Sequence, residues 1–97
     1  MIDYNNINEH EFTMMVNSGG YVKFTKAFFD SQLGLNTAFT EEEFHQAIEF
    51  LKAKAKKIVE GLFIADEEKE KKKQYIDASY SYIEDFLKEQ YFVRIRS

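Results

Sequence analysis

Two side chains, His10 and His45, could exchange protons near neutral pH without a shifted pKa. His45 has the more suggestive company. Glu41, His45 and Glu49 recur every four residues, which places them on one helix face. One imidazole between two carboxylates could ligate a divalent metal. No second His-x3-His or His-Glu pattern supports such a site, and a surface histidine between solvated acids explains the spacing better. Ser18 lies beside Gly19-Gly20, but a helix stop accounts for that turn more simply than a nucleophile, which would need a positioned base and an orienting acid. The same turn lacks the Gly-Lys-Ser/Thr ending of a phosphate loop. Paired carboxylates are abundant, yet they fall on helix exteriors rather than in an inferable cleft. The expectation is a protein without catalytic activity, metal or cofactor.

The elements that carry these residues are legible from capping grammar. In Ile7-Asn8-Glu9-His10-Glu11-Phe12, Asn8 can cap, Glu11 sits where a capping-box acid would, and Ile7 and Phe12 are placed as a hydrophobic staple. Ser18-Gly19-Gly20 should stop this helix near Asn17. The grammar recurs in Phe39-Thr40-Glu41-Glu42-Glu43-Phe44, where Thr40 caps, Glu43 completes the box and Phe39 staples to Phe44. From there Phe44, Ile48, Leu51, Ala55, Ile58 and Leu62 are spaced alternately four and three, a heptad stripe. A turn follows near Gly61 to Asp66, and Asp66 can cap the next helix. That helix carries Ile76, Tyr80, Ile83 and Leu87 on one stripe and Tyr75, Ser79, Tyr82 and Phe86 on another beside it. Together the stripes exceed the roughly 100° that one contact needs, so the helix is expected to touch two neighbours.

A short loop makes consecutive helices antiparallel neighbours. The predicted fold is a small, mainly helical single domain, residues 1–97, built on a long antiparallel hairpin of about 40–62 and 66–91, with an N-terminal helix packed against it. With a turn near Phe63, Leu51 should face Ile76, and Phe44 should face Ile83. The segment Tyr21 to Leu33 is ambiguous. Tyr21-Val22-Lys23-Phe24-Thr25 alternates like a strand, whereas Phe24, Phe28 and Gln32 are spaced for a helix over Lys23–Leu33 that Gly34 would cap. Helix is the favoured reading. The alternative is a minor two-stranded β-ribbon with Phe92-Val93-Arg94-Ile95-Arg96.

Composition limits the task. Ninety-seven residues hold ten Phe, six Tyr and no Cys, Pro or Trp. Lack of cysteine removes disulfides, thiolate metal sites and thiol catalysis, and suits a reducing cytoplasm. No signal peptide and no membrane span are apparent, so a cytoplasmic location is expected. Net charge is −4, against general nucleic-acid binding. The charge is unevenly placed, residues 1–50 carrying −6 and residues 51–97 +2.

In the hairpin register, Lys52, Lys54, Lys56 and Lys57 fall near Lys69, Lys71, Lys72 and Lys73, diluted by acids. Glu41, Glu42, Glu43 and Glu49 lie opposite Asp77, Glu84, Asp85 and Glu89. The first group reads as solvated helix exterior. The second is less easily explained, because Glu84, Asp85 and Glu89 approach a helix C-terminus, where carboxylates are unfavourable. Arg94 and Arg96 could fold back to offset them. Otherwise the concentration suits a basic protein partner, since complementary charge speeds encounter and selects partners. The candidate partner-binding residues are Glu41, Glu42, Glu49, Glu84, Asp85 and Glu89. Phe50, roughly 120° off the heptad stripe, is a further candidate as an aromatic anchor. Phe28-Phe29 raises a similar question, because adjacent helical residues cannot both face one neighbour.

The expected function is non-catalytic binding of another macromolecule through this acidic helical surface. Two alternatives are a nucleic-acid binder using the lysine-rich tip and an assembly protein forming a helical oligomer, a homodimer included. In gross character, as a small, acidic, cysteine-free chain, the protein is similar to phage- or mobile-element-encoded inhibitors of host enzymes, some of which present carboxylates where a nucleic acid would bind. That likeness is compositional and implies an inhibitor of a host nucleic-acid-binding enzyme without assigning any residue.

Overall fold

The computed structural model describes residues 2–35 and 38–93, and the side chain of Val93 is not among them. All regular structure among the described residues is helical: a short 3-10 turn at Tyr4–Asn6, then α1 (Glu9–Ser18), α2 (Tyr21–Gly34), α3 (Glu41–Glu60) and α4 (Asp66–Lys88), the last running on into a π-helical turn at Glu89–Val93. Helices α3 and α4 form the predicted hairpin. Helix α1 packs on α3 and α2, and α2 packs on α4, so each helix touches two neighbours in a bundle 46 × 25 × 19 Å.

The local signals act largely as expected. Asn8 Oδ1 accepts from the Glu11 amide at 3.1 Å. Thr40 and Glu43 form a full capping box, each side chain accepting from the other's backbone amide at 3.1 Å. Gly19 closes α1 with φ +80°, a conformation that glycine adopts without steric cost, and its amide bonds the Met15 carbonyl. Asp66 does not cap α4. Ala65 holds the N-cap position with no side-chain bond, and Asp66 is the first helical residue, where its charge still suits the helix dipole.

The strand alternative for Tyr21–Thr25 fails, because that segment is the start of α2. The helix buries Tyr21, Thr25, Phe28, Phe29 and Gln32, a stripe with helical period that an extended chain would split between two faces. It also begins two residues earlier than expected and takes in Gly34. With no strand at Tyr21–Thr25 the β-ribbon has no first member, and Arg94 to Arg96 lie outside the described residues.

The two adjacent phenylalanines of α2 serve different neighbours. Phe28 meets Tyr4 of the N-terminal turn, at a ring separation of 6.5 Å. Phe29 meets Phe39, Phe44 and Tyr91, at 5.4, 4.8 and 6.2 Å. In the rest of the core, Phe44, Ile48, Leu51 and Ala55 of the expected α3 stripe lie against Ile76, Tyr80, Ile83 and Leu87 of α4, all essentially without exposure, whereas toward the hairpin tip Val59 is buried and the expected Ile58 and Leu62 are only half-buried.

The N-terminal turn is held by a polar clamp. Gln32, fully buried, accepts from the Asp3 amide at 2.8 Å and donates to the Asp3 carbonyl at 3.0 Å. Ile2 is thereby seated in the core and Tyr4 over Phe50, ring centroids 4.6 Å apart. Gln32→Leu should cost about 1–2 kcal/mol, since two hydrogen bonds from a buried side chain to the backbone of the exposed Asp3 are lost while side-chain volume is nearly kept. Hydrogen exchange should quicken at residues 3–7 and stay slow in α3. Unchanged exchange at the turn would show that the clamp is not what holds it.

Candidate functional site at the hairpin seam

The register of the hairpin can be read from ion pairs along one seam between α3 and α4. His45 Nδ1 lies 2.7 Å from Glu84 Oε2, Lys56 Nζ lies 2.6 Å from Asp77 Oδ1, and Lys73 pairs with Glu60. These pairs shift the register about one helical turn from the expected one. Phe44 also meets Phe92 and Tyr91, at 5.5 and 6.3 Å, farther toward the C-terminus than Ile83. A heptad stripe tolerates a one-turn shift, because apolar residues still meet apolar residues.

The candidate residues do not form one surface. Glu49 and Glu84 come together with His45, one donor atom of each lying within 4.8 Å of the others. Glu84 is half-buried and bonded to His45, and Glu49 pairs with Lys52 at 3.0 Å. Asp85 and Glu89 follow core residues Ile83 and Leu87 by two positions, about 200° round the helix, and so point outward, away from α3. Glu41 and Glu42 are exposed in the first turn of α3. Phe50 is on the opposite flank of α3 from His45, toward the N-terminal turn. It is 43% exposed under Tyr4, and it lines an open hollow of about 280 Å³ with Ala53, Lys54 and Lys57.

The helical backbone runs through the π turn to Val93, so Glu84 and Asp85 stand about two turns before that point. The helix-dipole penalty is confined to the last turn and does not reach them. The lysine-rich half is also more occupied than a binding surface for polyanions would be. Lys52 pairs with Glu49, Lys54 with Glu9, Lys56 with Asp77, Lys73 with Glu60 and Glu70, and Lys69 donates to the Glu60 carbonyl.

The feature that sequence reasoning missed is on α4. Its second stripe was expected against another helix, but α2 covers only part of it. Tyr75 meets Tyr21 at 5.8 Å yet is still 58% exposed, and Tyr82 is 60% and Phe86 44% exposed. Their rings stack 6.0 Å apart and 13° from parallel. Asp85 and Glu89 adjoin them on the outer face. The signal was present in the sequence as a stripe too wide for one contact, and what was misjudged was how much of it a short domain could cover.

Donation of a hydrogen bond from the imidazole to Glu84 raises the His45 pKa above its ordinary value, with the Glu84 charge adding to the effect. Because the folded value is the higher one, this pair's stabilisation is complete below about pH 6.5, the unfolded histidine value, and is lost as pH rises through the folded value. Melting temperature should therefore fall slightly across neutrality in the native chain and not in His45→Gln. Equal pH profiles would show that the pair contributes nothing.

No protein-family model, curated protein or solved structure matches the chain. Among the described residues no helix is long and apolar enough to cross a membrane.

Proposed function

We propose that the chain is a non-catalytic binding protein for a basic protein partner, which it meets through the outer, C-terminal face of α4. The observation that carries this reading is the exposed Tyr82–Phe86 stack with Asp85 and Glu89 beside it. Stacked aromatics supply large, rigid contact area and are typical anchors of protein interfaces. Flanking carboxylates favour an arginine-bearing partner and raise its encounter rate. Glu41 and Glu42 extend the acidic field from α3. Inhibition of a nucleic-acid-binding enzyme, whose own surface would be basic, fits this arrangement.

The test is capture of a stoichiometric partner with the native chain, followed by affinity measurement with Asp85→Lys/Glu89→Lys and with Tyr82→Ala. The paired charge reversal should weaken binding at least tenfold, with most of the loss in association rate and a strong dependence on salt. Tyr82→Ala should act on dissociation. Both changes are on an exposed face and should leave helicity intact. Binding indifferent to both sets of changes would overturn the reading. The same aromatic stack favours a second reading, a homodimer through α4. A sedimentation mass that doubles with concentration and reverts to one chain in Tyr82→Lys would select it.

A further inference from the structure

We infer that His45, Glu49 and Glu84 form a binding site for a borderline divalent transition metal, with zinc the best match. The inference does not rest on the partner reading above. Three potential donor atoms, an imidazole nitrogen and two carboxylate oxygens, lie within 4.8 Å of one another. They come from two helices. His45 and Glu49 are one turn apart on α3, and Glu84 reaches across from α4. The ion-paired seam and the buried stripes on either side of it already fix those helices relative to each other. The backbone positions are therefore set before an ion arrives, which limits the ordering cost of binding.

The donor set selects the metal. One nitrogen with two carboxylate oxygens is a combination zinc accepts, with bonds of roughly 2.0–2.2 Å. Calcium and magnesium prefer all-oxygen shells, so the imidazole counts against them. Tetrahedral donors at those bond lengths stand about 3.4 Å apart. The 2.7 Å separation of His45 and Glu84 must therefore open, and the widest gap must close, each by roughly 1 Å. Side-chain torsions can supply such movements, because His45 and Glu49 are exposed and Glu84 only half-buried. Lys52 holds one Glu49 oxygen in an exposed ion pair, which a doubly charged ion can displace. Three protein donors leave a fourth position open, to water or to a donor from another molecule.

From spacing alone, Glu41, His45 and Glu49 on one helix were better explained as solvated surface. The α4 residue supplies what one helix could not, a donor facing the histidine across the seam.

The experiment uses the full chain, stripped with chelator, with zinc chloride titrated by calorimetry at neutral pH and cobalt(II) absorbance as a second probe. The expected result is saturable uptake that His45→Ala and Glu84→Gln each weaken at least tenfold and that His10→Ala leaves unchanged. Affinity should also fall with acidification, because the imidazole must give up its proton to bind. Absence of saturable uptake would overturn the site. So would uptake that His45→Ala leaves unchanged, which would mark an adventitious ion only. His45→Ala keeps every carboxylate of the acidic surface, so losing metal and losing a protein partner remain separate outcomes.

Discussion

Phe44→Ala is expected to remove about 3–5 kcal/mol, the range for deleting a fully buried phenylalanine. Phe44 is 1% exposed, and its ring meets Phe29, Phe39, Tyr91 and Phe92 at 4.8 to 6.3 Å. The five rings come from α2, the loop before α3, α3 itself and the end of α4. No neighbour can relax inward without drawing its own element along, so the cavity should stay largely open. A domain of this length holds about 5–15 kcal/mol in total, and the variant should be close to unfolded at 37 °C. Urea denaturation followed by circular dichroism measures the loss. Phe63→Ala provides the contrast, because Phe63 at the hairpin tip is fully exposed and its removal should change stability by less than about 0.5 kcal/mol. A Phe44→Ala loss below about 1 kcal/mol would mean the cluster is loosely packed in solution.

The second large effect is alkaline. Tyr80 has no exposure, and burial pushes its hydroxyl up to about 12 from the ordinary 10. The unfolded chain then loses the proton first. Stability is unaffected below about pH 10, falls between 10 and 12, and is lower by about 3 kcal/mol once both states are ionised. Tyr91 acts in the same direction. It is half-buried and donates to Asp30 at 2.8 Å, and burial followed by the Asp30 carboxylate raises its pKa further. Urea midpoints across this range should fall steeply in the native chain and less steeply in Tyr80→Phe. That substitution should itself cost about 1 kcal/mol near neutrality, because the Thr25 hydroxyl, which donates to Tyr80 at 3.3 Å, is buried and loses its acceptor. Parallel slopes in the two proteins would mean that Tyr80 ionises without hindrance in the fold.

What the sequence made legible was local. The Thr40–Glu43 box, the Gly19 stop and the two core stripes each depend on residues within one or two turns, and each formed. The cap of α4 was misread because an Asp at that position can either cap a helix or open its first turn, and only the backbone distinguishes the two. Hairpin register was off by one turn because a heptad stripe matches itself at that shift. The Gln32–Asp3 clamp joins residues 29 apart through a backbone amide, so it leaves no periodic trace. Glu84 could be assigned to the acidic end but not to His45, because one turn of register decides whether they meet. Tyr82 and Phe86 were recognised as apolar, but a wide stripe does not say which of its residues will lack a neighbour.

The aromatic cluster also bears on how the molecule opens. The α3–α4 pair is tethered by its loop at one end, and the five rings fasten the other, so the hairpin has no loose mouth from which to unzip. Between these fastenings Ala47 and Ala55, both without exposure, leave little side-chain bulk at their positions on the α3 face. Local opening of either helix would have to break a fastening first. Amides through the middle of α3 and α4 should therefore exchange only by whole-molecule unfolding and report a single free energy. The protein would then behave less like a pair of tongs than like a buckled strap, either shut along its length or undone.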